Sequence, residues 1–80
     1  MGEIKRFRNI RLVIYSNDHI PVHVHAISPE HEAKFSVGGG LVTLMENYGF
    51  QKRELRKIEA EITSSVDEIY AEWRRIHGDQ

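Results

Sequence analysis

The stretch Asn17-Asp18-His19-Ile20-Pro21-Val22-His23-Val24-His25 gathers three of the chain's five histidines within seven residues, beside an acid and a proline. Histidine is the side chain most readily used as a metal ligand, or as an acid and base near neutral pH. His23 and His25 are two apart, so in an extended segment both rings project from the same side. Val22, Val24 and Ala26 supply the apolar face of that segment, and the histidines fall on the other. Two chemistries fit these residues. In the first, His23 and His25 chelate a divalent cation of the zinc or nickel kind, with His19 or Asp18 as third ligand and water completing the shell. In the second no metal is needed, and His23 and His25 serve as base and acid in cleavage at an RNA 2′-hydroxyl. Arg11 or Lys34 then stabilises the developing charge, and Tyr15 orients or stacks. A plainer reading has Asp18 and His19 bonding to the loop backbone while His23 and His25 sit solvated on a strand.

The flanking segments must hold these groups in place. Ile10–Tyr15 is rich in β-branched and aromatic residues, ends at Ser16-Asn17-Asp18, and reads as a strand. Val22–Ile27 is a second strand. Ser28-Pro29-Glu30-His31 places proline at the second position of a tight turn, with His31 expected on the surface. Glu32–Val37 alternates, with Ala33, Phe35 and Val37 on one face. Gly38-Gly39-Gly40 supplies the positive φ of a hairpin turn before a last strand, Leu41–Met45. No Lys-Ser or Lys-Thr follows these glycines, which argues against a phosphate-binding loop.

The period then changes. Leu55, Ile58 and Ile62 recur at helical spacing within 51–62, and Val66, Ile69, Tyr70, Trp73 and Ile76 form a second stripe within 65–77. Ser65-Val66-Asp67-Glu68 reads as a capping box, Gly78 suits a helix stop, and His77 sits where a helix end favours a cation. The fold expected is α+β: a small four-stranded, mostly antiparallel sheet followed by two C-terminal helices packed on one face. It forms a single domain over 1–80, with a sheet half at 1–49 and a helical half at 50–80. Leu12, Ile14, Val24, Phe35, Leu55, Ile58, Ile69 and Trp73 are the expected core. The opposite sheet face then carries Arg11, Tyr15, His23, His25, Glu32 and Lys34 in the open.

Eighty residues suffice for one modest core. With no cysteine, disulfides, thiolate metal sites and a cysteine nucleophile are all excluded. A composition 40% hydrophobic and 29% charged is that of an ordinary folded domain. No apolar run approaches the roughly 20 residues that span a bilayer. The start, Met1-Gly2-Glu3-Ile4-Lys5-Arg6, lacks the apolar centre of a signal peptide, so a cytoplasmic protein without membrane contact is expected. The net charge of −1 hides two basic patches, Lys5–Arg11 and Lys52–Lys57, and an acidic stretch over 59–72. Such patches steer a polyanion or a charged partner when they are not simply solvated surface.

The pattern Asn-Asp-His-x-Pro-x-His-x-His, followed by an acid, a short amphipathic strand and a helical end with Trp73, resembles domain-of-unknown-function family 4160. Val22 stands where members usually carry a second proline. The resemblance covers most of the chain and implies an architecture and a site, not a reaction. It also implies a small bacterial protein encoded beside another small protein, in pairs that look like toxin–antitoxin systems. On that basis a non-enzymatic role is equally open. An edge strand and an amphipathic helix can form an interaction module for a cognate small protein, or for a second copy of the chain.

Overall fold

The computed structural model describes residues 2–78. Five strands precede two helices: β1 Gly2–Phe7, β2 Ile10–Ile14, β3 His23–Ile27, β4 Glu32–Gly38, β5 Leu41–Tyr48, α1 Lys52–Thr63 and α2 Val66–His77. The strands form one antiparallel meander in chain order. The expectation of four strands is therefore corrected to five. Gly2–Phe7 carries Glu3, Lys5 and Arg6 in six residues, and a register shift between Glu3 and Lys5 breaks its alternation. It is a strand because β2 offers it an edge and α2 lies against it, not because its side chains prefer one.

The inward residues of β2, β3 and β4 pack against the stripes of both helices. Leu12, Ile14, Val24, Phe35, Ile58, Ile62 and Ile69 are fully buried and Trp73 nearly so, while Leu55 is half-buried against them. The β4–β5 hairpin turns on Gly39 and Gly40, both at positive φ (59° and 79°), as a tight two-residue connection requires. A second register shift, between Lys34 and Phe35, leaves Met45 unpaired, and β5 continues past it to Tyr48. The chain breaks between the helices at Ser64 and Ser65.

Capping falls at the other helix from the one expected. Glu54 reaches back to accept the Gln51 N–H at 3.0 Å, whereas Ser65 makes no side-chain cap and its hydroxyl is buried without a partner. His77 Nδ1 lies 3.1 Å from the Trp73 carbonyl in the last turn of α2. Tyr70 crosses from α2 to donate its hydroxyl to the Val37 carbonyl at 3.2 Å. His31 is not a free turn residue. It is half-buried, edge-on to Phe50 at 5.4 Å between ring centres and directly over Gly49.

Candidate metal centre

Alternation along β3 sends Val24 and Ala26 into the main core and His23 and His25 to the other face. That face is not open here. The segment after β2 folds back over it: the Asp18 amide donates to the Tyr15 carbonyl at 3.1 Å, and the Tyr15 amide donates to Asp18 Oδ2 at 3.0 Å. This paired turn aims the Asp18 carboxylate at both imidazoles. The Ile20–Pro21 peptide that follows is cis, and the Val37 amide donates to the Val22 carbonyl, which ties the loop's end to β4. The expectation of two solvated histidines is overturned, since His23 and His25 are 7% and 8% exposed. Val13, the register partner of His25, is fully buried beside them, outside the main core.

The distances define a compact cluster. His23 Nε2 lies 3.2 Å from Asp18 Oδ1, and His25 Nε2 lies 3.3 Å from Asp18 Oδ2. Asp18, His23 and His25 each offer one ligand atom within 4.8 Å of the others, the one such group among the described residues. Ligands about 2.0–2.1 Å from a tetrahedral ion stand about 3.3–3.4 Å from one another. His23 Nε2 and His25 Nε2 lie 3.2 and 3.3 Å from the same Asp18 Oδ1, close to that spacing and, for His25, also within hydrogen-bond geometry. The second ring nitrogens also have neighbours. His23 Nδ1 is 2.8 Å from the Pro21 carbonyl, and His25 Nδ1 is 3.4 Å from Glu32 Oε2, without the alignment of a hydrogen bond. Backbone carbonyls and carboxylates in these positions orient metal-binding histidines.

The electrostatics follow from this packing. Burial pushes the Asp18 carboxyl up, but the Tyr15 amide and the two histidines outweigh it and hold the group below its ordinary value. Burial and then the Glu32 carboxylate push the Tyr15 phenol up, with Arg11 opposing. The Tyr15 ring covers His25 at 4.5 Å between centres, and His23 meets His25 at 5.3 Å and Trp73 of α2 at 5.5 Å.

Of the residues singled out from the sequence, the fold brings together Asp18, His23 and His25, with Tyr15 and Glu32 around them. His19 is exposed on the loop and lies outside the cluster. Arg11 is 3.8 Å from Glu3, and Lys34 is 3.1 Å from Glu46. The Pro21 carbonyl and Trp73 are contributors that residue types did not mark. The first is a backbone group, and the second belongs to a helix far along the chain.

An antiparallel five-stranded sheet followed by two helices, with a buried Asp-His-His cluster that Trp73 of α2 reaches at the start of β3, defines a small α+β protein with a candidate metal centre. The chain belongs to the family described as Domain of unknown function (DUF4160), whose model matches residues 9–74. No curated protein and no solved structure matches it.

Proposed function

We propose that this protein binds a divalent cation of the zinc class through Asp18, His23 and His25. The observation that carries the reading is the hydrogen-bond arithmetic at His23. With a proton on Nδ1, the ring donates to the Pro21 carbonyl and turns the bare lone pair of Nε2 toward the Asp18 carboxylate. With the proton on Nε2, the bare Nδ1 faces the carbonyl at 2.8 Å. Either neutral form sets two acceptors against each other in a buried place, which is costly. A cation between His23 Nε2 and Asp18 removes the conflict, and the same ion accepts His25 Nε2. At His23 a metal does what would otherwise take a second proton on the ring, whereas His25, whose Nδ1 has no hydrogen-bond partner, can satisfy Asp18 through Nε2–H in its neutral form.

The residues have distinct tasks. Asp18 supplies the negative charge, Pro21 and Glu32 orient the rings, and Tyr15 with Trp73 keeps bulk water off them. Each of the three ligand side chains keeps about a tenth of its surface exposed (9–11%), so a narrow opening remains. Three protein ligands leave room for a water or a substrate oxygen, and an ion held this way supplies Lewis acidity to whatever occupies that place.

Trp73, the chain's single tryptophan, makes the test direct, because its ring touches His23. Titration with Ni(II) or Co(II) should quench its fluorescence at one equivalent, and Zn(II) should give one binding event by calorimetry. Asp18→Asn, nearly isosteric, should weaken Zn(II) by roughly 10–100-fold or more, the range seen even for lost outer-shell partners. No quenching and no heat with the folded wild type would show that protons alone hold the cluster.

A second reading rests on β5. This edge strand of eight residues is exposed along almost its whole length and shows Leu41, Leu44, Met45 and Tyr48 to solvent. An exposed edge of this kind is a template for strand addition. It suits pairing with a cognate small protein, as in a toxin–antitoxin pair. A complex with the product of the adjacent gene that Leu44→Asp breaks would support this role, and one that Leu44→Asp leaves intact would sink it.

A further inference from the structure

The two basic patches of the sequence meet in space at one residue. Arg8, at the tip of the β1–β2 hairpin, lines two surface clefts of about 440 Å³ each. On one side it is joined by Arg6 and Arg11, over a floor that includes Ile27 and Pro29. On the other it is joined by Arg53 and Lys57 from the first turns of α1. Among the described residues only Glu3 brings a carboxylate within 4.0 Å of any of these five cations, and Glu54 also lines the second cleft. Glu3 is shared by Arg6 and Arg11 at 3.3 and 3.8 Å, and Glu54 is engaged with the Gln51 amide. Arg8, Arg53 and Lys57 have no carboxylate within 4.0 Å among the described residues.

A second observation is independent of charge. Arg8 has φ of 55°, the one non-glycine residue at positive φ among those described. The first position of a two-residue hairpin loop with such a φ is where glycine fits without cost, and an arginine there is held against its preference. Strain retained at a surface turn is a reason to look for what the side chain does.

We propose that the double cleft around Arg8 binds the phosphate backbone of a single-stranded nucleic acid. Four of the five cations are arginines, whose planar forks take phosphate oxygens two at a time. A chain of net charge −1 is not drawn to polyanions as a whole, so recognition must come from this local site. Two concave lobes with a cation between them suit a flexible strand that can bend around Arg8. A stiff duplex cannot follow that path. The apolar floor beneath the arginines suits an unstacked base, which guanidinium planes and apolar surfaces hold without sequence preference. An acidic peptide would match the charge and leave that floor unused. The first cleft also adjoins the metal candidate: Arg11 pairs with Ile27 and Val13 pairs with His25 on the same sheet face. Binding in the cleft does not depend on a metal.

The experiment is fluorescence anisotropy of a labelled twelve-nucleotide oligouridylate with the full chain, in EDTA, so that failure of the zinc reading has no bearing on it. Wild type should bind at low salt, with log K falling against log [salt] at a slope of about −2 to −3. That slope corresponds to three or four phosphates at about −0.7 each for single strands. Arg8→Gly should raise the melting midpoint, because glycine relieves the turn, yet weaken binding about tenfold and flatten the slope by about 0.7. The pair Arg53→Ala and Lys57→Ala, on an exposed helix face, should also weaken binding without unfolding the protein. No binding by wild type, or wild-type binding by Arg8→Gly, overturns the proposal. Competition by polyglutamate or by a duplex as strong as that by the oligouridylate overturns it too, and points to an acidic protein or to nonspecific charge.

Discussion

Asp18 is the residue on which the candidate centre turns. It is a loop residue, yet its carboxylate is engaged by one backbone amide and two imidazoles at 3.0–3.3 Å. Its pKa in the fold lies below the ordinary 3.8, because these partners outweigh the burial that pushes it up. A carboxyl with a lowered native pKa binds its proton more weakly folded than unfolded. Its stabilisation is therefore present above about pH 4 and is lost as pH falls through the lower native value. Metal-free protein should accordingly lose stability in that acid window, and Asp18→Asn should remove this part of the dependence. Denaturant melts of both forms between pH 5 and pH 2 check it. Protons also compete with a metal for the imidazole nitrogens and the carboxylate, so Zn(II) affinity should fall on acidification.

Among the elements, helix α2 does two jobs. Its buried face closes the main core through Ile69 and Trp73, and the same tryptophan touches His23. Trp73→Ala should cost about 3–5 kcal/mol, as for other enclosed aromatic rings, and should loosen the metal site as well. A smaller loss in both thermal melting and Zn(II) affinity for Trp73→Phe separates ring packing from the indole itself. The link from β5 to α1 is equally constrained. Gly49 has φ of 106°, and a Cβ there would lie 2.1 Å from His31 Nδ1. Gly49→Ala must then both strain the backbone and displace the imidazole from Phe50. A loss above about 1 kcal/mol is expected, the lower end for a strained backbone position. An unchanged melting midpoint would show that the loop adapts freely.

For the molecule as a whole, the centre couples the loop after β2 to the sheet and, through Trp73, to the helices. A ligand that binds only the folded chain stabilises all of it, by about 2.7 kcal/mol at a hundredfold excess over Kd. At about 4–8 °C per kcal/mol for a domain of this size, Zn(II) should raise the melting midpoint by roughly 10–20 °C, and EDTA should reverse the gain. Among the described residues no helix is long and apolar enough to cross a membrane. Much of this architecture was legible in residue order. Ala33, Phe35 and Val37 alternate, Ile58 and Ile62 recur at helical spacing, as do Ile69 and Trp73, and Gly39-Gly40 turns the hairpin where expected. These are local consequences of strand and helix periods, which a sequence carries on its face. Asp18, His23 and His25 were visible as residue types for the same reason. What the sequence left open depends on distant partners. β1 exists because β2 and α2 accept it, and register shifts hide the alternation of β1 and β5. The histidine face is buried because the loop folds back onto it, and Asp18 rather than His19 completes the cluster because the Tyr15–Asp18 turn aims one side chain inward and leaves the other in solvent. Periodicity is a property of neighbours along the chain. Burial and convergence belong to segments that meet only once the chain has folded.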